Sequence, residues 1–154
     1  MTQLSKEGLL RLREKIDALK KERADLRSQR AEAYVMGGDG WHDNPVFEHI
    51  EAEEKRLSAQ IARFEREFET AEIVSCSDVR VTRIGSRATI RFPDGSKKIF
   101  QIGDRYTADP SAGIISLQSP LGRALEGLAV DAACSYRVGE KEIRVVVEDI
   151  EMAG

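Results

Sequence analysis

Between Ser5 and Met36 the apolar side chains Leu9, Leu12, Ile16, Leu19, Leu26 and Ala33 recur at alternating intervals of three and four, with Gly8 as the only glycine and no proline. That period predicts one helix carrying a heptad seam. Arg23 and Arg30 occupy the seam positions between Leu19, Leu26 and Ala33. Gly37-Gly38-Asp39-Gly40 ends the helix, because glycines supply the positive φ angles of a C-cap and a sharp reversal. A second helix opens at Asn44-Pro45, an N-cap residue followed by a proline whose missing N–H costs nothing in a first turn. Its seam runs through Phe47, Ile50, Leu57, Ile61, Phe64, Phe68 and Ala71, with Glu54 between Ile50 and Leu57.

Two helices of similar length around a short turn predict an antiparallel coiled-coil hairpin in which Leu9 faces Ala71, Leu12 faces Phe68, Ile16 faces Phe64 and Leu19 faces Ile61. In that register Arg23 and Arg30 lie one turn either side of a Leu26–Glu54 layer, so the polar seam residues cluster with opposite signs and act as a register device. The flanks agree: the first helix is rich in Lys and Arg, the second in Glu. At about 1.5 Å per residue, Leu9 to Ala33 alone spans on the order of 36 Å, a thin rod that projects.

After Ile73 the period changes to two. Val79–Ile84, Ala88–Phe92 and Ile99–Ile102 alternate as strands, the latter two joined by the turn Pro93-Asp94-Gly95-Ser96. Gly113–Ser116, Ala132–Tyr136 and Glu142–Val147 predict further strands, and Leu121–Leu128 one short helix. The fold class is therefore α+β: a helical hairpin over residues 1–74 with its tip at 37–44, and a mostly antiparallel sheet domain with one short helix over 78–154.

Composition narrows the function classes. Of 154 residues 33% are charged, and 24 basic against 27 acidic side chains leave a formal net charge of −3. That balance excludes a generally basic nucleic-acid coat while allowing charges to be sorted between faces. No run of about 18 apolar residues and no leader pattern at Met1–Lys6 is present, so the expected location is the cytoplasm, with no membrane partner. Cys76 and Cys134 stand alone, which argues against a zinc site or a disulfide framework.

The chemistry-bearing residues gather at the hairpin tip. Asp39 reads either as a turn residue or as a functional carboxylate, and Asp43 as an acid complementing a helix N-terminus or as a second carboxylate. Asn44 reads either as an N-cap or as a ligand. Trp41, the single tryptophan, either folds over the tip or packs on a partner element or a nucleotide base. His42 and His49 lack the spacing of a metal pair and read as surface residues. Arg27 and Arg30 lie on the basic face near the tip. Farther along, Ser119 and Pro120 form a cap-and-start signal for the short helix.

Three stretches in this order resemble the bacterial Gre (GreA/GreB) transcript-cleavage factors: Leu4-Ser5-Lys6-Glu7-Gly8 leading into Leu12 and Leu19; Gly38-Asp39 followed by Asp43-Asn44; and Ile115–Leu125, which contains Ser119-Pro120-Leu121-Gly122. The resemblance spans essentially the whole chain and implies an FKBP-like fold for the C-terminal domain. It further implies a monomer that docks on bacterial RNA polymerase, with Ser116, Gln118, Ser119, Pro120 and Leu121 gripping a coiled coil of the largest subunit. The hairpin would pass down the secondary channel, placing Trp41 and Asn44 in contact at the tip, with Arg27 and Arg30 as the candidates for guiding the RNA 3′ end, which the chain would meet only indirectly.

By the same resemblance Asp39 and Asp43 would help hold a Mg²⁺ ion shared with the polymerase, and the chain would have no cofactor of its own. It would then be no independent enzyme but a factor that complements the polymerase active site in cleaving backtracked RNA. The tip departs from the family pattern: the interval between the acids is one residue longer, the second acid is Asp instead of Glu, and Gln118 stands where Asp or Asn is common. Two functions follow, an elongation factor that stimulates cleavage and a non-cleaving regulator that occupies the channel and modulates transcription. A coiled-coil adaptor or a prolyl isomerase finds little support, the aromatic content being 6%.

Overall fold

The computed structural model describes residues 2–37, 45–75 and 78–153. Contacts divide the chain into two compact units, Leu12–Thr70 on one side and Met1–Arg11 with Ala71–Gly154 on the other. The first eleven residues and the segment after the second helix thus fold with the sheet.

Helix α1 (Lys6–Gly37) and helix α2 (Pro45–Thr70) carry the hairpin unit. Apart from Gly8, which packs against Asp104, the half-buried or buried positions described along α1 are 9, 12, 16, 19, 23, 26, 30 and 33, the heptad seam read from the sequence. The matching residues on α2 include Ile50, Glu54, Leu57, Ile61 and Phe64, all buried. Cross-helix contacts fix the register: the Lys15 ammonium lies 4.7 Å from the centre of the Phe64 ring, and Lys20 pairs with Glu65 at 2.7 Å. Burial of one apolar stripe per helix, reinforced by flanking ion pairs, accounts for a stable pair of helices this long.

In the other unit, strand β1 (Gln3–Leu4) lies parallel to strand β2 (Glu72–Ile73). The main sheet contains β3 (Ser86–Arg91), β4 (Lys97–Gly103), β5 (Ile114–Ser116), β6 (Ala133–Val138) and β7 (Lys141–Met152), in the order β5-β4-β3-β7-β6. All neighbours are antiparallel except β4 and β5, which run parallel because the chain crosses over through a 3-10 turn at Pro110–Ala112. Short helix α3 (Pro120–Leu125) packs Leu121 and Leu125 against Ile90, Ile102, Val145 and Val147 in the core.

Two elements differ from the pattern expected of them. Val79–Ile84 is not a strand, although Thr82 and Ile84 are buried in alternation. Its backbone pairs with the loop after α3 instead: the Thr82 N–H donates to the Leu128 carbonyl at 2.9 Å and the Thr82 carbonyl accepts from Gly127 N–H at 2.9 Å. Strand β7 runs five residues beyond Val147, through a bulge. Thr89 pairs with Asp149 and Ile90 with Val147, which leaves Glu148 unmatched, so the buried positions step from 145 and 147 to 150.

Candidate functional site

The hairpin residues leading toward the tip form a charged seam. Glu54 is only 8% exposed; its Oε1 accepts a hydrogen bond from Arg27 Nε at 2.8 Å, and its Oε2 forms an ion pair with Arg30 Nη1 at 2.7 Å without hydrogen-bond geometry. Arg23 donates through Nη1 to Ser58 Oγ at 3.3 Å. The acid is therefore held by Arg27 and Arg30, where the sequence suggested Arg23 and Arg30; Arg27 reaches it from outside the seam. Both arginines keep part of their surface in water, at 52% and 39% exposure, so a cationic face persists beside the buried acid. The tip residues Asp39, Trp41, Asp43 and Asn44 lie outside the described residues, as does Cys76.

The second candidate surface is the loop from β5 into α3. Leu117 N–H donates to the Gly103 carbonyl at 2.9 Å, extending the β4–β5 ladder. Ser116 then organises the turn: its Oγ accepts Gln118 N–H at 3.1 Å, and its carbonyl accepts Ser119 N–H at 2.9 Å and the Ser119 hydroxyl at 2.6 Å. Ser119 caps α3 by accepting Gly122 N–H on Oγ at 3.1 Å, and Pro120 begins the helix. Gly122 is required by close approach, because a Cβ there would stand 2.0 Å from the Ser116 carbonyl oxygen. Gln118 and Pro120 are exposed, Ser116 and Ser119 are half-buried, and Leu121 points into the core at 7% exposure. Four of the five residues singled out from the sequence thus reach the surface, while Leu121 anchors the loop from below.

Asp104, which follows β4, was not singled out by the sequence. It is 3% exposed, and its carboxylate receives four hydrogen bonds. Oδ2 accepts the Ser5 N–H at 2.8 Å and the Ser5 hydroxyl at 2.7 Å; Oδ1 accepts Tyr106 N–H at 2.9 Å and Thr107 N–H at 3.0 Å. Ser5 in turn caps α1, its Oγ accepting Gly8 N–H at 2.9 Å. The carboxylate thereby joins the start of α1 to the β4–β5 connection. The signal available in the sequence was Gly8, a glycine in the first turn of a helix with no turn to make. A Cβ at that position would lie 2.0 Å from Asp104 Oδ2.

Elsewhere the ionisable groups serve local structure. The Ser111 hydroxyl lowers the Asp109 carboxyl below its usual range, Arg80 brings Asp78 down to about 2, and burial pushes the Cys134 thiol up. Among the described residues no group of three or more His, Cys, Asp or Glu side chains is placed to hold a metal ion, and no helix is long and apolar enough to cross a membrane.

Comparison with known proteins bears on the family. Residues 77–152 match the family model "Transcription elongation factor, GreA/GreB, C-term". The chain is 32% identical over 128 residues to the transcription elongation factor GreA of Thermosipho africanus, covering 82% of this chain and 81% of the relative. It is 29% identical over 147 residues to GreA of Novosphingobium aromaticivorans, covering 94% and 92%. The crystal structure of Thermus aquaticus Gfh1 aligns over 97% of each chain with 23% identity and a TM-score of 0.46. With the family model on the sheet unit and a relative of this identity extending over four-fifths of both chains, the protein belongs to the GreA/GreB family of transcription elongation factors.

Proposed function

We propose that this chain binds bacterial RNA polymerase through the Ser116–Leu121 loop and inserts its hairpin into the secondary channel, where it stimulates the polymerase's own cleavage of backtracked RNA. The observation that carries this reading is the pairing, in one GreA/GreB family chain, of a two-helix rod with a loop built to display Gln118 and Pro120. At about 1.5 Å per residue the 32 residues of α1 run on the order of 48 Å.

Asp39 and Asp43 are the tip carboxylates, and their oxygens are the hard donors that Mg²⁺ takes. Bound between these acids and the polymerase's own ligands, the ion would supply Lewis-acid activation of a water. The chain's own contribution is to bring two carboxylates to an active centre that belongs to another protein, which makes it a cofactor for that enzyme. Arg27 and Arg30, half-neutralised by Glu54, present positive charge toward the RNA end.

The test is cleavage of stalled, backtracked elongation complexes of the cognate polymerase, with wild type and with the Asp39→Ala/Asp43→Ala variant. Short 3′ fragments released by the wild type and not by the variant support the reading. A second reading, a regulator that occupies the channel without cleaving, is favoured by the longer interval between the acids and by Asp at the second position, since misplacement by about 1 Å costs a positioned site heavily. Binding without fragment release selects it.

A further inference from the structure

Helix α3 leaves the Ser116–Leu121 loop with its two sides clearly sorted: Leu121, Gly122 and Leu125 are buried, while Pro120, Arg123 and Glu126 at its C-cap are exposed. Positions three apart share one face of a helical turn, so Arg123 stands one turn beyond Pro120 on the outward stripe. The backbone fixes it there. Arg123 N–H donates to the Ser119 carbonyl at 2.9 Å, and the Ser119 hydroxyl is itself tied to the Ser116 carbonyl at 2.6 Å. Among the described residues the Arg123 guanidinium has no hydrogen-bond or ion-pair partner. Glu126, three residues on, has the spacing for a pair and does not form one. The preceding loop residues Ser116, Leu117, Gln118 and Ser119 carry no carboxylate.

We infer, on the docking role proposed for Ser116–Leu121, that Arg123 is a specificity-determining residue of that surface and pairs with an acidic side chain of the polymerase helix gripped by the loop. Two features select a glutamate- or aspartate-bearing helix as the partner. One is continuity: the exposed face of α3 begins at Pro120, a loop residue, and runs without interruption to Arg123. A helix seated on Gln118 and Pro120 therefore comes within reach of the guanidinium. The other is charge: a planar fork beside an exposed proline ring suits a carboxylate on an aliphatic stem, whose methylenes cover the ring while its oxygens take both N–H groups. Arg123 also stands in the last turn of α3, where any cation suits the carbonyl end of a helix. That second role acts on stability; pairing with a carboxylate acts on affinity and on its dependence on salt.

The experiment is a binding titration of the full chain against the cognate core polymerase at two salt concentrations, with wild type, Arg123→Glu, Arg123→Lys, Gln118→Trp and the control Arg144→Glu, alongside thermal melts of each protein. Arg144 is exposed on β7 next to Val145, which packs in the core with Leu121 and Leu125. Successive side chains of a strand point to opposite faces, so Arg144→Glu makes the same change in net charge on the sheet face away from α3. The expected result for Arg123→Glu is a loss of affinity of about tenfold or more with a flatter salt dependence, and for Arg123→Lys, which keeps the charge but not the fork, a smaller loss. Gln118→Trp, which sets bulk on the loop, should also weaken binding, and Arg144→Glu should stay within about twofold of wild type. Weakening by Gln118→Trp with equal effects of Arg123→Glu and Arg144→Glu would overturn the inference and leave the docking role intact. So would a loss for Arg123→Glu that comes with a lowered melting temperature and an unchanged salt dependence, since it assigns Arg123 to the helix terminus alone. Failure of the wild type to bind, or full binding by both Gln118→Trp and Arg123→Glu, would overturn the docking role itself.

Discussion

Replacing Glu54 tests whether the hairpin's polar seam stabilises or merely specifies. Glu54→Ala removes an acid that holds Arg27 at 2.8 Å and Arg30 at 2.7 Å. A hydrogen bond to a charged group, such as that from Arg27, is worth about 1.5–3 kcal/mol. Both arginines remain 52% and 39% exposed, however, and rehydrate when released, which reduces each contact toward the value of a surface pair, up to about 1 kcal/mol. The expected cost of Glu54→Ala is therefore about 1–2 kcal/mol. Glu54→Leu loses the same contacts but continues the apolar run from Ile50 to Leu57, and burying a leucine is worth about 1.5–3 kcal/mol. Glu54→Leu should thus lie within about 1 kcal/mol of wild type and clearly above Glu54→Ala, as buried ion pairs replaced by apolar groups often do. Urea unfolding of the full chain, followed by far-UV circular dichroism, reads the difference as a shift in midpoint at constant slope. A leucine variant no more stable than the alanine variant would refute this ordering and show that the carboxylate itself carries the hairpin's stability.

Three further outcomes follow from named contacts. Gly8→Ala should destabilise by about 1–2 kcal/mol despite alanine's better helix propensity, because its Cβ would displace Asp104 from the start of α1; in an Asp104→Ala background the sign should reverse, and thermal melts of the four proteins check this. Gly122→Ala sets a Cβ against the backbone carbonyl of Ser116, which cannot swing aside, so it should cost more than about 2 kcal/mol and weaken polymerase binding together with stability. Glu148, held below its ordinary value near 4.5 first by its hydrogen bond to Lys97 and then by the Lys97 and Arg91 charges, contributes stability that is present above that value and lost as pH falls through the lowered one. Glu148→Gln should therefore lower the melting temperature slightly at neutral pH and flatten its acid limb.

The hairpin was legible in the sequence because its signal is redundant: eight seam positions on α1 repeat the alternation of three and four, and apart from Gly8 each described burial on α1 falls on them. The identity of Glu54's partners was not, since Arg27 lies off the seam and reaches the acid only by the length of its side chain. In the sheet unit, period two located β3, β4 and β6 within a residue or two, yet it lost β7 at Val147, where the unmatched Glu148 shifts the buried face by one residue. The same period over-read Val79–Ile84, because alternating burial is independent of whether a neighbouring strand is there to pair. Strands β1 and β2 are two residues each, too short for any pattern. The Ser116–Leu121 loop was visible through its cap-and-proline signal, whereas Asp104 was not, being brought to Ser5 by hydrogen bonds between residues 99 positions apart.

Site-specific photo-crosslinking from the full chain to the cognate polymerase tests the central claim most directly. One crosslinker would replace Val35, 78% exposed near the tip end of α1, and another Gln118 on the docking loop. Crosslinks from position 35 to residues lining the secondary channel, with those from position 118 on the largest subunit's coiled coil, are the predicted result. Crosslinks from position 35 confined to the polymerase's outer surface, with the chain bound, would contradict insertion of the hairpin.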